Sequence, residues 1–134
     1  MTDAKGVPLL AQLTAANVND VTQLEPMVAA LPAVAGRRGR PKRKPRVVQG
    51  DRAYWSQARH ARLAAQGIVA VVAKPRSPHG SGLGIFRWVV ERTLAWLHRF
   101  RRLAVRYERR DDVHGAFLTL GCALITWNYL KAGR

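Results

Sequence analysis

Eight carboxylates stand against 23 lysines and arginines in this chain, and two of the eight have settings that local structure does not explain. Asp3, Asp20, Asp111 and Asp112 fall at turn or helix starts, where acids satisfy exposed backbone N–H groups. Glu25 sits on an exposed helix face, and Glu108 is surrounded by Arg106, Arg109 and Arg110. Asp51 instead ends an apolar run, Arg46-Val47-Val48-Gln49-Gly50. The C-terminal ends of strands in open α/β sheets are where ligands bind. Glu91 lies among Trp88, Val90, Leu94 and Ala95, with Arg87 four residues before it and His98 seven after. At helical spacing these three share one stripe. An acid on a helix facing an acid at a strand end is how hard divalent cations are gripped for phosphoryl transfer. The plainer alternative is an Arg87–Glu91 surface pair, worth a few tenths of a kcal/mol, and an Asp51 that only caps a turn.

The elements that must carry these residues follow from the pattern of the chain. Asp3–Gly6 reads as a hairpin turn and Val7 to Leu13 as a strand. Asn19 or Asp20 caps a helix running to about Leu31, which Pro26 kinks or delays. Residues 35–46 form a basic loop: Gly36 to Arg46 holds seven basic residues, two glycines, two prolines and no acid. Arg46–Asp51 is a short strand, Trp55–Gln66 a helix closed by Gly67, and Ile68–Ala73 a buried β-branched strand. A basic Gly/Pro/Ser loop over 74–84 leads into a helix over 84–110 that carries Glu91. A C-terminal helix covers 111–131, with Asp111 or Asp112 as its cap. The order is that of an α/β domain, and 134 residues make one domain or part of one.

The formal charge of +15 attracts polyanions, so nucleic acid is the default partner and an anionic membrane surface the second. Cys122 is alone, and His60, His79, His98 and His114 lack zinc-ligand spacing. No signal-peptide pattern opens the chain. The apolar run from Ala116 to Leu130 is interrupted by Thr119, Gly121, Thr126 and Asn128 and is too short and polar to span a bilayer. A soluble cytoplasmic protein is expected.

Two basic groups stand out. Arg38-Gly39-Arg40-Pro41, flanked by Arg37 and Lys42-Arg43-Lys44, resembles the core of an AT-hook, in which extended arginines reach down a narrow A·T minor groove. Generic phosphate contact is the simpler use. Arg92, His98, Arg99, Arg101, Arg102 and Arg106 form the second group, followed by Arg109 and Arg110. Beside Glu91 they would hold DNA. Trp88, Trp96, Phe100 and Tyr107 interleave with them, and at this spacing core packing is expected; Trp55 and Trp127 are read as core too.

Three stretches carry a family resemblance: GDRAYWS around Asp51, GLGIFRWVVERTLAWLHRFRRLAVRYER around Glu91, and HGAFLTLGCALI from His114. Together they resemble the C-terminal half of bacterial insertion-sequence transposases of the insertion-sequence-five type, which have a DDE active site. TDAKGVPL and TAANVNDVTQLEPMV are similar to the segment that follows that family's first catalytic acid. The resemblance implies a ribonuclease H-like mixed sheet with flanking helices, here N-terminally truncated and with a C-terminal helical pair. It implies three carboxylates binding Mg²⁺ (or Mn²⁺), which activate water or a 3′-hydroxyl against a DNA phosphodiester. It makes Asp51 the second Asp, Glu91 the Glu, and Arg87 the Arg that precedes it by four. Where the family places a Lys seven residues after the Glu, this chain has His98; Arg99, Arg101 or Arg102 could supply that charge.

The first catalytic Asp is not assigned here, because Asp3 is in a turn rather than on a strand. The expectation is therefore a fragment, either the downstream frame of a frameshifted transposase or a decayed remnant, that neither cuts nor joins DNA alone. Its partners would be transposon ends and target DNA, the upstream reading-frame product, and a second copy as a dimer, in a bacterial cytoplasm close to the nucleoid and not at a membrane. A non-catalytic basic DNA-binding protein is the reading from another class.

Overall fold

The computed structural model describes residues 1–35, 38–76 and 84–133, with the side chains of residues 84–87 outside the description. Gly36, Arg37, His79 and most of the 74–84 loop therefore lie outside the described residues. The chain forms two compact bodies, one from residues 14–83 and one from residues 1–13 with 84–134.

The 14–83 body is built on a strand–helix–strand unit. Strand β1 (Val47–Gly50) pairs in parallel with β2 (Val69–Val72), Val48 standing against Ala70 and Gly50 against Val72. Parallel neighbours need a crossover, and helix α2 (Gln57–Ala65) supplies it. The Ser56 hydroxyl caps α2, and Gly67 closes it at φ +75°, a left-handed conformation that glycine adopts without cost. Leu63 and Ile68 are the two most deeply buried side chains, and Val48, Ala73, Leu24 and Val28 complete this core. Helix α1 (Leu24–Ala29) is preceded by a 3-10 turn over Asp20–Gln23, which the Asn19 side chain caps. Pro26 thus falls in the first turn of α1, where no intrahelical partner for its missing N–H is needed, so it delays the helix rather than kinking it.

In the other body the hairpin turn forms, but the Val7–Leu13 strand does not. Thr2 and Pro8 form an isolated antiparallel bridge, flanked by hydrogen bonds from the Asp3 N–H to the Val7 carbonyl and from the Leu9 N–H to the Met1 carbonyl. Pro8 cannot donate to a ladder. The Asp3 carboxylate accepts from the N–H groups of Lys5 and Val7 at 2.8 Å each and holds the turn closed. The turn docks on helix α3 (Gly84–Leu97).

The helix expected over 84–110 is interrupted. It ends at Leu97, restarts as the short α4 (Arg101–Ala104), and runs extended through Val105. The N–H groups of Arg99 and Phe100 reach back only three residues, to Trp96 and Leu97, which tightens and stops the helix. Two causes act together. A continuous helix would stack Arg99, Arg102 and Arg106 as like charges at destabilising spacing. Phe100 and Leu103 instead turn onto Gly121 of helix α5 (Asp111–Lys131), where an added Cβ would meet Leu103 Cδ1 at 2.9 Å. Arg110 is the N-cap of α5, so Asp111 and Asp112 lie in its first turn instead of capping it. They suit the positive end of the helix dipole there. Val7, Val89, Leu97 and Ile125 form the core of this body. Trp127 is not part of it, being 64% exposed on the outer side of α5.

Candidate active site and nucleic-acid interface

Strand β1 delivers Asp51 to the mouth of an open cleft of about 660 Å³ in the 14–83 body. The lining comes from two segments, Thr14 to Val21 and Asp51 to Tyr54. Asp51 is exposed and acts as the cap of a 3-10 turn (Arg52–Tyr54), its Oδ1 accepting from the Arg52 N–H at 2.5 Å. The capping role and a place at a cleft therefore coincide. Asp20 lines the same cleft. Burial, then the charges of Asp20 and Asp51, push the Tyr54 phenol above its usual range.

A set of contacts holds this turn in place. The Tyr54 ring lies on Gly50, whose missing Cβ would stand 3.5 Å from the Tyr54 side chain. The Arg59 guanidinium on α2 donates from Nη1 to the Tyr54 carbonyl at 2.8 Å. Arg59 Nε faces Glu25 Oε1 at 3.6 Å, and Arg62 donates to both Glu25 oxygens at 2.8 and 2.9 Å. The Arg62 hydrogen bonds hold the Glu25 carboxyl below its usual range. α1 is thereby tied to α2, and α2 to the turn that carries Asp51.

Glu91 is exposed on α3, one position from a side-chain stack. The Arg92 guanidinium lies between the Trp88 ring at 4.5 Å and the Trp96 ring at 4.7 Å, and its Nη2 donates to the Lys5 carbonyl. Of Arg87 only the backbone is described, within α3. Among the described residues no three His, Cys, Asp or Glu side chains gather closely enough to hold a metal ion. Asp51 offers the hard oxygen that a Mg²⁺ site requires, but the described residues do not assemble the full ligand set.

The basic residues divide by what already occupies them. Arg92 is taken up by two indoles and a carbonyl. Arg102 donates from Nη1 to Glu108 at 2.5 Å and lies over Phe117, and Arg106 bonds Asp111 and the Glu108 carbonyl. His98, Arg99 and Arg101 are exposed, and among the described residues they make no ion pair. Arg38, Arg40, Lys42, Arg43 and Lys44 are likewise exposed, while Arg37 lies outside the described residues. Val34 and Lys42 exchange backbone hydrogen bonds at 2.9 and 3.1 Å and close the basic segment into a loop. Gly39, at φ +140°, lies in a bend that runs from Arg38 to Arg40.

The sequence pattern puts Asp20 at a helix start and gives Tyr54 no role. The signal that points to them is their place at the polar borders of the two segments that meet at the cleft.

The Transposase DDE domain family model matches residues 1–79 and 86–126. A Burkholderia cepacia protein named as the transposase for insertion sequence element IS402 is 60% identical over 131 residues, covering 98% of this chain. The chain spans 62% of that relative's length. No solved structure matches. The matched segments take in Asp51, Glu91, both sides of the cleft and most of α5, and the chain belongs to the DDE transposase domain family.

Proposed function

We propose that this chain is the C-terminal part of a metal-dependent DDE transposase catalytic domain of the insertion-sequence-five type, acting in bacterial DNA transposition. The observation that carries the reading is Asp51, placed at the end of β1 and at the mouth of a cleft inside the matched segment. In this reading the β1–α2–β2 unit is part of a ribonuclease H-like mixed sheet. Asp51 and Glu91 are two of three carboxylates for Mg²⁺ or Mn²⁺, and Arg87 binds phosphate beside Glu91. The metal, when bound, activates the attacking oxygen and stabilises the leaving one. What the protein contributes is position: β1 and the 3-10 turn fix Asp51, and α3 presents Glu91.

DNA is the proposed partner, at transposon ends and at target, in the bacterial cytoplasm. The basic loop through Arg38, Arg40, Lys42, Arg43 and Lys44 and the exposed group of His98, Arg99 and Arg101 make the phosphate contacts. The third carboxylate is not assigned within these residues, so the polypeptide alone is proposed to be inactive and to need the upstream product.

The test supplies the chain together with the portion of the IS402 transposase that it does not cover. Mg²⁺-dependent nicking of DNA carrying the element ends is expected. Asp51→Ala or Glu91→Ala should abolish it while circular dichroism stays unchanged. Nicking that survives both changes rejects the site assignment, and nicking by the chain alone rejects the need for a partner. Salt-sensitive DNA binding that no metal affects, with no nicking in any combination, supports the binding-protein reading instead.

A further inference from the structure

Helix α2 brings two cations to one acid. Arg59 and Arg62 stand three positions apart, on one face of the helix. Glu25, in the first turn of α1, meets both. The two arginines are not equivalent. Arg62 is 57% exposed and donates to both Glu25 oxygens. An exposed pair of this kind contributes little to stability. Arg59 is only 12% exposed. Its Nε is buried without a hydrogen-bond partner among the described residues, and Glu25 Oε1 faces it at 3.6 Å. Its Nη1 binds a different element, at the Tyr54 carbonyl.

We propose that Glu25 is a positioning residue for Asp51, acting through Arg59: its charge keeps the guanidinium on the Tyr54 carbonyl, and so holds the turn that carries the Asp51 carboxylate. The inference rests on the reading of Asp51 as a metal ligand. A guanidinium removed from water needs an opposite charge beside it. Without Glu25, Arg59 regains solvation by swinging outward, and Nη1 leaves the carbonyl.

That loss falls on a short structure. The Tyr54 N–H donates to the Asp51 carbonyl at 2.9 Å, and the Trp55 N–H to the Arg52 carbonyl at 3.0 Å. The peptide between Tyr54 and Trp55 is thus held at its nitrogen by Arg52 and at its oxygen by Arg59. At the head of the turn, Asp51 Oδ1 accepts from the Arg52 N–H, while Oδ2 makes no hydrogen bond among the described residues. Groups that orient a metal ligand from behind alter metal affinity without touching the ion. A tie between α1 and α2 needs only the Arg62 pair. The less exposed Arg59 joins α1 to the turn, which is what such a relay requires.

Two measurements on the same variants decide the matter. One is amide hydrogen exchange of the intact chain, followed by NMR and normalised to the Leu63 amide so that a general loss of stability cancels. The other is the Mg²⁺ concentration for half-maximal nicking in the complemented assay. Glu25→Gln keeps the shape and removes the charge. It should speed exchange at the Tyr54 and Trp55 amides about tenfold. It should raise the Mg²⁺ requirement about tenfold at unchanged DNA affinity. Arg62→Met cuts the exposed pair but leaves Glu25 to Arg59, and should move neither readout by more than about twofold. Adding Glu25→Gln to Arg59→Met should move neither further, because the relay is already cut. Unchanged turn amides in Glu25→Gln overturn the proposal. So does an Arg62→Met variant as affected as Glu25→Gln, or full additivity of Glu25→Gln and Arg59→Met, either of which reduces Glu25 to a tie between helices. Asp51→Ala separates this from failure of the wider reading. Nicking that survives it removes the metal-ligand role and the proposal together. Nicking that it abolishes, with a Mg²⁺ requirement that Glu25→Gln leaves unmoved, removes the proposal alone.

Discussion

The Thr93 hydroxyl on α3 lies 2.6 Å from the carbonyl oxygen of Gly6 and donates to it, joining residues 87 apart in sequence. Thr93 is buried, and the bond satisfies a carbonyl that the docked hairpin turn has removed from water. Gly6 makes the approach possible. It holds φ +76°, and a Cβ there would stand 3.0 Å from the Val89 carbonyl.

Thr93→Val should therefore cost about 1–3 kcal/mol, the penalty of leaving a buried carbonyl unsatisfied. Gly6→Ala should cost about 2 kcal/mol from backbone strain alone, before the clash is counted. Urea denaturation followed by circular dichroism checks both. A Gly6→Ala protein as stable as the parent would contradict the docking of the turn on α3.

Arg59 is the second point of leverage. Its charged hydrogen bond to the Tyr54 carbonyl fixes the turn that follows Asp51. Arg59→Met keeps the stem and removes the bond, so it should lower stability by about 1.5–3 kcal/mol, the range for hydrogen bonds to charged groups. In the complemented nicking assay it should lower the rate with little change in DNA affinity. Arg59→Lys should recover only part of the loss, because an ammonium cannot reach two partners as a planar fork does.

Glu108 gives a pH signature. Its carboxylate is only 6% exposed, accepts from Arg102 at 2.5 Å, and faces His114 Nδ1 at 3.6 Å. The Arg102 hydrogen bond holds its carboxyl below the usual range in the folded state. A depressed folded pKa means stabilisation that is present above the unfolded value, near 4.3, and lost as pH falls through the folded value. The melting temperature of the parent should thus exceed that of Glu108→Gln at pH 7. The two should converge as pH falls through the folded value, which lies below the unfolded one.

The basic loop should act through phosphates. Replacing Arg38, Arg40, Lys42, Arg43 and Lys44 by Ala should weaken binding to all duplexes alike. The slope of log affinity against log salt should fall by about 0.9 for each phosphate that is no longer neutralised. A selective loss on A·T-rich DNA would instead show that the loop opens into the minor groove on binding.

Much of the α/β order is legible in the sequence because its signals are local. Val47–Gly50 and Val69–Val72 are short β-branched runs bounded by glycines, and Gly67 closes the helix between them. The break after Leu97 is not legible. No glycine or proline marks it; it comes from Phe100 and Leu103 packing on Gly121, a contact between segments about 20 residues apart that periodicity cannot see. Asp51 is visible as an acid after an apolar run. Asp20 is hidden by the ordinary expectation that an acid near a helix start serves the helix, and only folding brings it to the cleft of Asp51. Arg92 reads as surface charge in the sequence, because tryptophans four residues to either side look like core. The structure turns that around: Trp88 is half exposed, and the cation fills the space between the rings.

That stack has a mechanical consequence. Trp88, Arg92 and Trp96 clamp successive turns of α3 along one ridge, and the Arg92 bond to Lys5 anchors the middle of the clamp. Glu91 sits on the adjoining position, so the helix beneath it cannot unwind without unstacking two indoles. These contacts tie α3 to the hairpin turn, so a displacement of this stretch of helix is expected to carry the turn with it.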